Sequence, residues 1–325
     1  MEVLTPDNIQ LSRPSSSLET KHRSFAINCK RPTYMDFIRN NLSIATQAAY
    51  GSDLRMYESA YGGIPATSEQ IATYLADQSR NLSPASLERR LAALSKAHNA
   101  RSLPNPVRTE LVRATMRGIK RAFGTSQRQA APLLKENLFE ILTRLGNRPK
   151  DVRDAAILMI GFSAALRRSE LVALNIEDIE RVSQGLVLTI RRSKTDQMGQ
   201  GRKIGISFGR DGRCPISALL QWLECAPTQT GAIFRQVNRH GQVIDQRLKG
   251  EAISLIVKER VAVIGLDLRD FSAHSLRAGY VTSAALAGAS NWTIRKTTGH
   301  KSDQTLNRYV RDGSLFTDKF TSAFL

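Results

Sequence analysis

Residues 271–311, FSAHSLRAGYVTSAALAGASNWTIRKTTGHKSDQTLNRYVR, bring several groups that can act on a phosphate into one short stretch. His274 and Arg277 are three positions apart, so a helix would place both side chains on one face. His300 ends the segment TTGH, and Tyr309 lies nine residues later in TLNRYVR, a second helical pattern. A tyrosine near two histidines and an arginine predicts a hydroxyl nucleophile aimed at a phosphate.

The charge of the whole chain agrees with that chemistry. Its 325 residues hold 47 Lys and Arg against 29 Asp and Glu, a net charge of +18. Such an excess favours a polyanionic partner, through phosphate contacts and counterion release. Generic basicity is the alternative, but the composition predicts nucleic acid.

The sequence offers little support for a membrane, secretory or metal-dependent protein. It has neither a run of about 18 apolar residues nor an N-terminal pattern typical of a signal peptide. Cys29, Cys214 and Cys225 lack metal-ligand spacing, so they are interpreted as reduced structural cysteines rather than a metal site. We expect a cytoplasmic protein with no cofactor.

Four segments are predicted along the chain. Residues 1–26 are polar and lack periodicity, which is typical of a flexible arm. Residues 27–123 show helical patterns and no strand signal, so an all-α domain is expected. Residues 124–132, GTSQRQAAP, form the predicted linker, and residues 133–325 form a second domain.

The all-α domain carries basic positions that lie away from its apolar stripes. Solvated helix faces are the ordinary explanation, but the charge of the chain makes contact with DNA phosphates a comparable one. The candidates are Arg89, Arg90, Arg113, Arg117, Lys120 and Arg121.

The second domain supplies further polar groups. The apolar run AAILMIGFSAAL predicts a buried helix that leads into LRRSELVALNIEDI, where Arg167 and Glu170 are three positions apart. GLVLTIRR and RKIGISF predict a β-hairpin whose polar loop begins at Lys194. From Pro215 onward the pattern is mostly helical.

Taken in order, these motifs resemble those of the tyrosine recombinases, the phage integrase family. ALRRSEL is similar to the family's first arginine box, with Ala165 where glycine is common. RRSKTDQ resembles its hairpin lysine, HSLRAG its His-x-x-Arg box, and TGH with the later RYVR its closing histidine and tyrosine. Thr298 departs from the apolar residue usual before Gly-His. The resemblance covers roughly residues 30–312 and is closest to the simple Cre-like or Xer-like type.

The resemblance implies a two-domain fold: an all-α, SAM-like core-binding domain, then a mixed α+β, mainly helical catalytic domain with a small antiparallel sheet. It implies that DNA is cut and rejoined through a 3′-phosphotyrosyl link and a Holliday junction, for integration, excision or resolution of a mobile element or replicon. No metal or nucleotide is then required. The implied catalytic residues are Arg167, Lys194, His274, Arg277, His300 and the nucleophile Tyr309, with Glu170 orienting Arg167 or His274.

Double-stranded DNA with short inverted repeats is the implied partner. A homotetramer would hold two sites, the free protein being a monomer or weak oligomer, and a second recombinase or directionality factor is a further candidate. Phe316, Phe320 and Phe324 form an apolar helical stripe. It either packs on its own domain or, as the resemblance implies, docks on a neighbouring protomer.

Two other functions stay open. A type IB topoisomerase uses similar chemistry on one duplex. A DNA-binding regulator that has lost catalysis would retain the basic surface alone. Tyr309 and both arginines favour an active enzyme over the regulator.

Overall fold

The structure is a computed structural model that describes residues 42–126, 129–193, 196, 199–209, 213–300 and 302. The chain divides into two compact units, Met1–Thr125 and Ser126–Leu325. The predicted arm, Lys194, Tyr309 and the C-terminal phenylalanines lie outside the described residues.

The described part of the first unit is built from helices: α1 Ile44–Tyr61, α2 Ser68–Gln78, α3 Pro84–Ala100, a 3-10 turn Pro106–Arg108, and α4 Glu110–Phe123. Thr67 caps α2, and Gln70 is its partner in the capping box. The third helical position is the one whose amide faces the cap, and here it is residue 70. Ser83 caps α3, with Pro84 in its first turn.

The apolar stripes predicted for α3 and α4 are buried in the core of the first unit. This core comprises Tyr57, Ala66, Ile71, Tyr74, Leu75, Leu87, Leu91, Leu94, Val112, Met116 and Ile119. Phe123 follows Ile119 at helical spacing, but it is 54% exposed. It is the last residue of the helix.

The second unit combines helices with two small sheets. Its elements are α5 Lys135–Thr143, α6 Pro149–Ser163, α7 Arg168–Ala173, a 3-10 turn Ile176–Asp178, β1 Ile179–Val182, β2 Gly185–Ile190, β3 Arg202–Ser207, α8 Pro215–Cys225, β4 Arg235–Val237, β5 Val243–Arg247, α9 Gly250–Val263, a 3-10 turn Leu268–Asp270, α10 His274–Leu286 and α11 Asn291–Thr298. None of the helices among the described residues combines the length with the apolar composition that a membrane span requires.

The predicted buried helix is α6, which packs against α8 and α10. Its residues 156–160 are between 0% and 4% exposed, so the helix lies inside the core. It ends at Ser163, and the chain turns at Ala165 before α7 begins. The segment that leads into α7 therefore follows directly from a buried helix of the core.

The predicted hairpin is present as β2 and β3, which pair antiparallel with Leu188 opposite Ile204. The structure adds β1 on the other side of β2 and a separate antiparallel pair, β4 and β5. Neither was predicted. β1 has four residues and β4 three, too few for an alternating pattern to stand out.

Gly279 lets α10 approach the segment that precedes α5. A Cβ at this position would stand 1.8 Å from the carbonyl oxygen of Leu133, so no side chain fits. Two backbone hydrogen bonds hold the same segment. The Leu133 amide donates to the Ser275 carbonyl at 2.9 Å, and the Ala131 amide donates to the Asp270 carbonyl at 2.8 Å. These contacts fix the start of α10, where His274 and Arg277 lie.

Candidate active site

Glu170 is a buried carboxylate that holds Arg167 at the start of α7. It is 2% exposed. Arg167 Nη1 donates to Glu170 Oε1 at 2.6 Å, and the Arg167 amide donates to Oε2 at 3.0 Å. Glu170 thus bonds to Arg167, one of the two residues that it was predicted to orient.

Arg202 is a second arginine on the same carboxylate, and sequence reasoning missed it. Its Nη2 donates to Glu170 Oε2 at 3.0 Å, and its side chain is 19% exposed. Arg202 opens β3 directly after the loop that carries Lys194. A signal was available: Arg202 shares strand parity with Ile204 and Ile206, which both face the core, so its side chain had to start on the inner face.

Arg277 is only 2% exposed and is oriented by the turn before α7. Its Nη1 donates to the Ala165 carbonyl oxygen at 2.8 Å. Ala165 has a φ of 49°, in the left-handed region that glycine adopts most readily. This conformation explains why a glycine is common here in the resembled motif.

His274 and His300 lie within the field of these arginines. His274 is the first residue of α10. Loss of solvation, then the charges of Arg277 and Arg167, lower its pKa. Loss of solvation followed by the charges of Arg277, Arg167, His274 and Arg202 lowers the pKa of His300 to about 3. Both imidazoles are therefore neutral at pH 7 in the free protein.

The end of α11 sets the position of His300. Gly299 ends the helix with φ 67°, and a Cβ there would stand 2.5 Å from Arg202 Nη1. The Thr298 hydroxyl lies 2.8 Å from His300 Nδ1, and Arg295 Nε donates to the His300 carbonyl at 3.3 Å. Thr298, which stands where an apolar residue is usual in the resembled motif, thus makes a direct polar contact with the histidine.

Of the predicted catalytic residues, the structure brings together Arg167, His274, Arg277 and His300, with Glu170 and Arg202 beside them. Lys194 and Tyr309 lie outside the described residues. Cationic guanidiniums with neutral imidazoles form a site that can bind an anion and accept or donate a proton at neutral pH.

The basic side chains of the first unit differ in how accessible they are to a DNA phosphate. Arg90 departs from the predicted exposed face, because it is 6% exposed and donates to the Tyr74 hydroxyl at 2.6 Å. Arg89 is bound to Asp53 by two hydrogen bonds of 2.8 and 2.9 Å. Arg113, Arg117, Lys120 and Arg121 lie on α4, where Arg117 pairs with Glu110 and Lys120 with Glu88. Exposed pairs of this kind are weak and yield readily to a phosphate.

The lowered pKa of His300 predicts a stability that falls in acid. In the unfolded chain the imidazole titrates near pH 6.5, and in the folded protein near 3. Between these values the unfolded state binds a proton that the folded state does not, so lowering the pH through that window destabilises the protein. His300→Gln is expected to remove this contribution, on the order of 1–2 kcal/mol at pH 5.

Urea denaturation at pH 7.5 and pH 5 checks this expectation. The loss of unfolding free energy between the two pH values is smaller in His300→Gln than in wild type. His240→Gln, at an exposed position between β4 and β5, is the control and is expected to follow wild type. An equal loss in wild type and His300→Gln would contradict the prediction.

Comparison with known proteins agrees with the motifs and the geometry. Residues 132–314 match the model of the phage integrase family. The chain is 37% identical over 261 residues to an integrase/recombinase XerD homolog of Selenomonas ruminantium, covering 78% of this chain and 76% of that protein. It is 25% identical over 269 residues to the recombinase Cre of Escherichia phage P1, covering 76% and 77%.

The fold is similar to that of a solved recombinase. The site-specific recombinase XerH, bound to a palindromic difH substrate in a post-cleavage complex, superposes with a TM-score of 0.64. The match is 17% identical and covers 88% of this chain and 81% of that one. The family match and the sequence relatives together assign the protein: this chain belongs to the phage integrase family, among the Xer- and Cre-like tyrosine recombinases.

Proposed function

We propose that this protein is a site-specific DNA recombinase that cuts and rejoins DNA through a 3′-phosphotyrosyl intermediate. The observation that carries the proposal is the cluster of Arg167, Arg277, His274 and His300 inside the segment that matches the phage integrase family. Several cationic donors around two neutral histidines suit a phosphodiester, whose charge resists nucleophilic attack.

The arginines have the role of a clamp. Nη1 of Arg167 donates to Glu170, and Nη1 of Arg277 donates to the Ala165 carbonyl. Such contacts hold the planar forks in place before the substrate arrives. Both stay charged at any physiological pH, so they stabilise the additional negative charge of the transition state.

Neither cleavage nor rejoining of the DNA strand consumes an external reagent. The Tyr309 oxygen attacks phosphorus, its proton passes to His274, and the bond from phosphorus to the 5′ oxygen breaks. Lys194 protonates that leaving oxygen, while His300 donates to a non-bridging oxygen. A 5′-hydroxyl then reverses these transfers. Since the tyrosyl link conserves the phosphodiester bond, neither a metal nor a nucleotide is needed.

The state of His274 supports its role as the proton acceptor. Its pKa is lowered, so the ring is unprotonated at neutral pH and has a lone pair to offer. A bound phosphate opposes the arginine charges, which raises the basicity of the ring when the substrate is in place.

The wider assembly is proposed from the family. The first unit would act as the core-binding domain on DNA, and four protomers would hold two short inverted-repeat sites, joined through the C-terminal segment. We place the activity in the cytoplasm. The arrangement of the two sites would decide between integration, excision and resolution, and a second recombinase or a directionality factor is a further candidate partner.

A nicked suicide duplex tests the reaction, using a site selected by the protein from a randomised DNA library. Wild type is expected to form a covalent adduct, and Tyr309→Phe to bind without one. Binding without an adduct in wild type would favour the regulator. An adduct accompanied by relaxation of any supercoiled plasmid would favour the topoisomerase.

DNA contact by α4 predicts a change in salt dependence. Arg113 and Arg121 are exposed on this helix. Each lost phosphate contact lowers the slope of log affinity against log salt by about 0.9, so replacing both with alanine should lower it by about 2. Fluorescence anisotropy between about 50 and 200 mM salt measures the slope.

Arg55→Ala is the matched control, since Arg55 is exposed on α1 and outside the predicted set. Its slope is expected to change less than that of the α4 variant. An unchanged slope in the α4 variant would remove α4 from the DNA interface.

A further inference from the structure

Thr298 is a buried hydroxyl directly behind the imidazole of His300. It is the last residue of α11 and is 0% exposed. Its Oγ1 lies 2.8 Å from His300 Nδ1, a full hydrogen bond. An apolar residue at this position would pack equally well but would leave Nδ1 without that partner.

The Thr298 hydroxyl carries one hydrogen, so in this hydrogen bond either the hydroxyl donates to Nδ1 or a protonated Nδ1 donates to the hydroxyl. Among the described residues, the bond to Nδ1 is the only hydrogen bond that the Thr298 hydroxyl makes. If Nδ1 carried the imidazole proton, the hydroxyl would accept it and leave its own buried hydrogen unbonded, which is costly. The hydroxyl therefore donates, and Nδ1 accepts.

We propose that Thr298 is a positioning residue that holds neutral His300 in the tautomer with its proton on Nε2, so that this nitrogen donates to the substrate phosphate. The inference rests on the proposed function for the identity of the acceptor. The hydrogen-bond geometry that selects the tautomer does not depend on it.

The tautomer matters because His300 is neutral. A protonated imidazole would donate from either nitrogen, but a neutral ring has one donor and one lone pair. With the proton on Nδ1, Nε2 would turn its lone pair toward an anion. Burial and the nearby arginines keep the ring neutral, and the Thr298 hydroxyl determines which nitrogen of that ring carries the hydrogen.

Three variants isolate the hydroxyl. Thr298→Val keeps the branched shape and removes the donor, and Thr298→Ser restores a hydroxyl without the methyl group. Thr297→Val is the matched control. Thr297 is the adjacent threonine, and its hydroxyl bonds to the Tyr280 hydroxyl at 3.1 Å instead of to His300.

Nitrogen-15 NMR of the full chain labelled at histidine measures the tautomer directly. The His300 signals are identified by their absence from the spectrum of His300→Gln. Wild type, Thr298→Ser and Thr297→Val are expected to show a pyrrole-like Nε2 and a pyridine-like Nδ1. Thr298→Val is expected to shift both signals toward the average of two tautomers. A protonated Nδ1 in wild type, or an unchanged tautomer in Thr298→Val, would overturn the proposal.

Single-turnover cleavage of the suicide duplex provides the second measurement. Loss of one neutral hydrogen bond predicts that Thr298→Val slows adduct formation about tenfold, with recovery in Thr298→Ser. In a His300→Gln background the valine change should have no further effect. A tenfold loss that persists in that background would assign Thr298 a purely structural role and overturn the proposal.

The two proposals fail in different ways. A wild-type protein that forms no adduct on any duplex would refute the recombinase, while the NMR comparison would still decide the role of Thr298. Conversely, a normal adduct with an Nδ1-protonated His300 would leave the recombinase intact and refute this inference.

Discussion

Replacing Arg277 by methionine is expected to slow DNA cleavage by about 10²–10³-fold, the usual cost of one preorganised donor to a developing charge. Arg277 is nearly buried, and the Ala165 carbonyl holds one end of its guanidinium. The side chain therefore needs little reorganisation to meet a phosphate. Methionine retains most of the apolar stem but offers neither charge nor donors, so DNA binding should persist while the chemistry slows.

Single-turnover adduct formation measures this loss, with the denaturation curve of each variant recorded beside it. The second measurement is needed because an unpaired Ala165 carbonyl costs about 1–3 kcal/mol of stability. Arg277→Lys keeps the charge but not the planar fork, so we expect an intermediate rate. Arg269→Met is the control, at an exposed arginine near the start of α10 whose partner is Asp267. Equal rates for Arg277→Met and wild type would remove Arg277 from the clamp.

The elements that carry the site were predictable because each has a long or strongly patterned sequence. The apolar run of α6 could only be a buried helix, and the alternation in β2 and β3 indicated the hairpin. Motif order then linked Arg167 to Arg277 although 110 positions separate them. Family resemblance supplied what periodicity alone cannot, namely that these distant residues meet.

The features that were missed depend on tertiary contacts. Arg90 was assigned to a solvated face because it lies away from the apolar stripe of its helix, but Tyr74 of a different helix provides a buried partner. Arg202 and Glu170 are 32 residues apart and become neighbours only when the sheet packs beside α7. The contact between Thr298 and His300 likewise depends on Gly299, whose left-handed backbone conformation turns His300 back toward the Thr298 hydroxyl.

Removing the Glu170 carboxylate is expected to destabilise the second unit strongly. Glu170→Ala leaves Arg167 and Arg202, which are 17% and 19% exposed, without their shared counter-charge. Removing one partner of a buried ion pair costs about 3–5 kcal/mol. Cleavage should fall as well, because Arg167 then loses the bond that orients it.

A double-mutant cycle distinguishes this charge effect from a simple cavity. Adding Arg202→Met to Glu170→Ala removes one of the two uncompensated charges, so the double variant should recover part of the lost unfolding free energy. If the loss came from a cavity instead, truncating Arg202 as well would not restore any unfolding free energy. Glu136→Ala, which breaks an exposed pair with Lys135, is the control and should change stability by less than about 1 kcal/mol.

Sulfate provides an independent check on the same charges. An anion that binds the arginines left by Glu170→Ala stabilises the folded state of this variant by mass action. Sodium sulfate should therefore raise the melting temperature of Glu170→Ala more than that of wild type or Glu136→Ala at equal ionic strength. If all three rise equally, Glu170 does not neutralise Arg167 and Arg202, and the orientation of the clamp must come from elsewhere in the site.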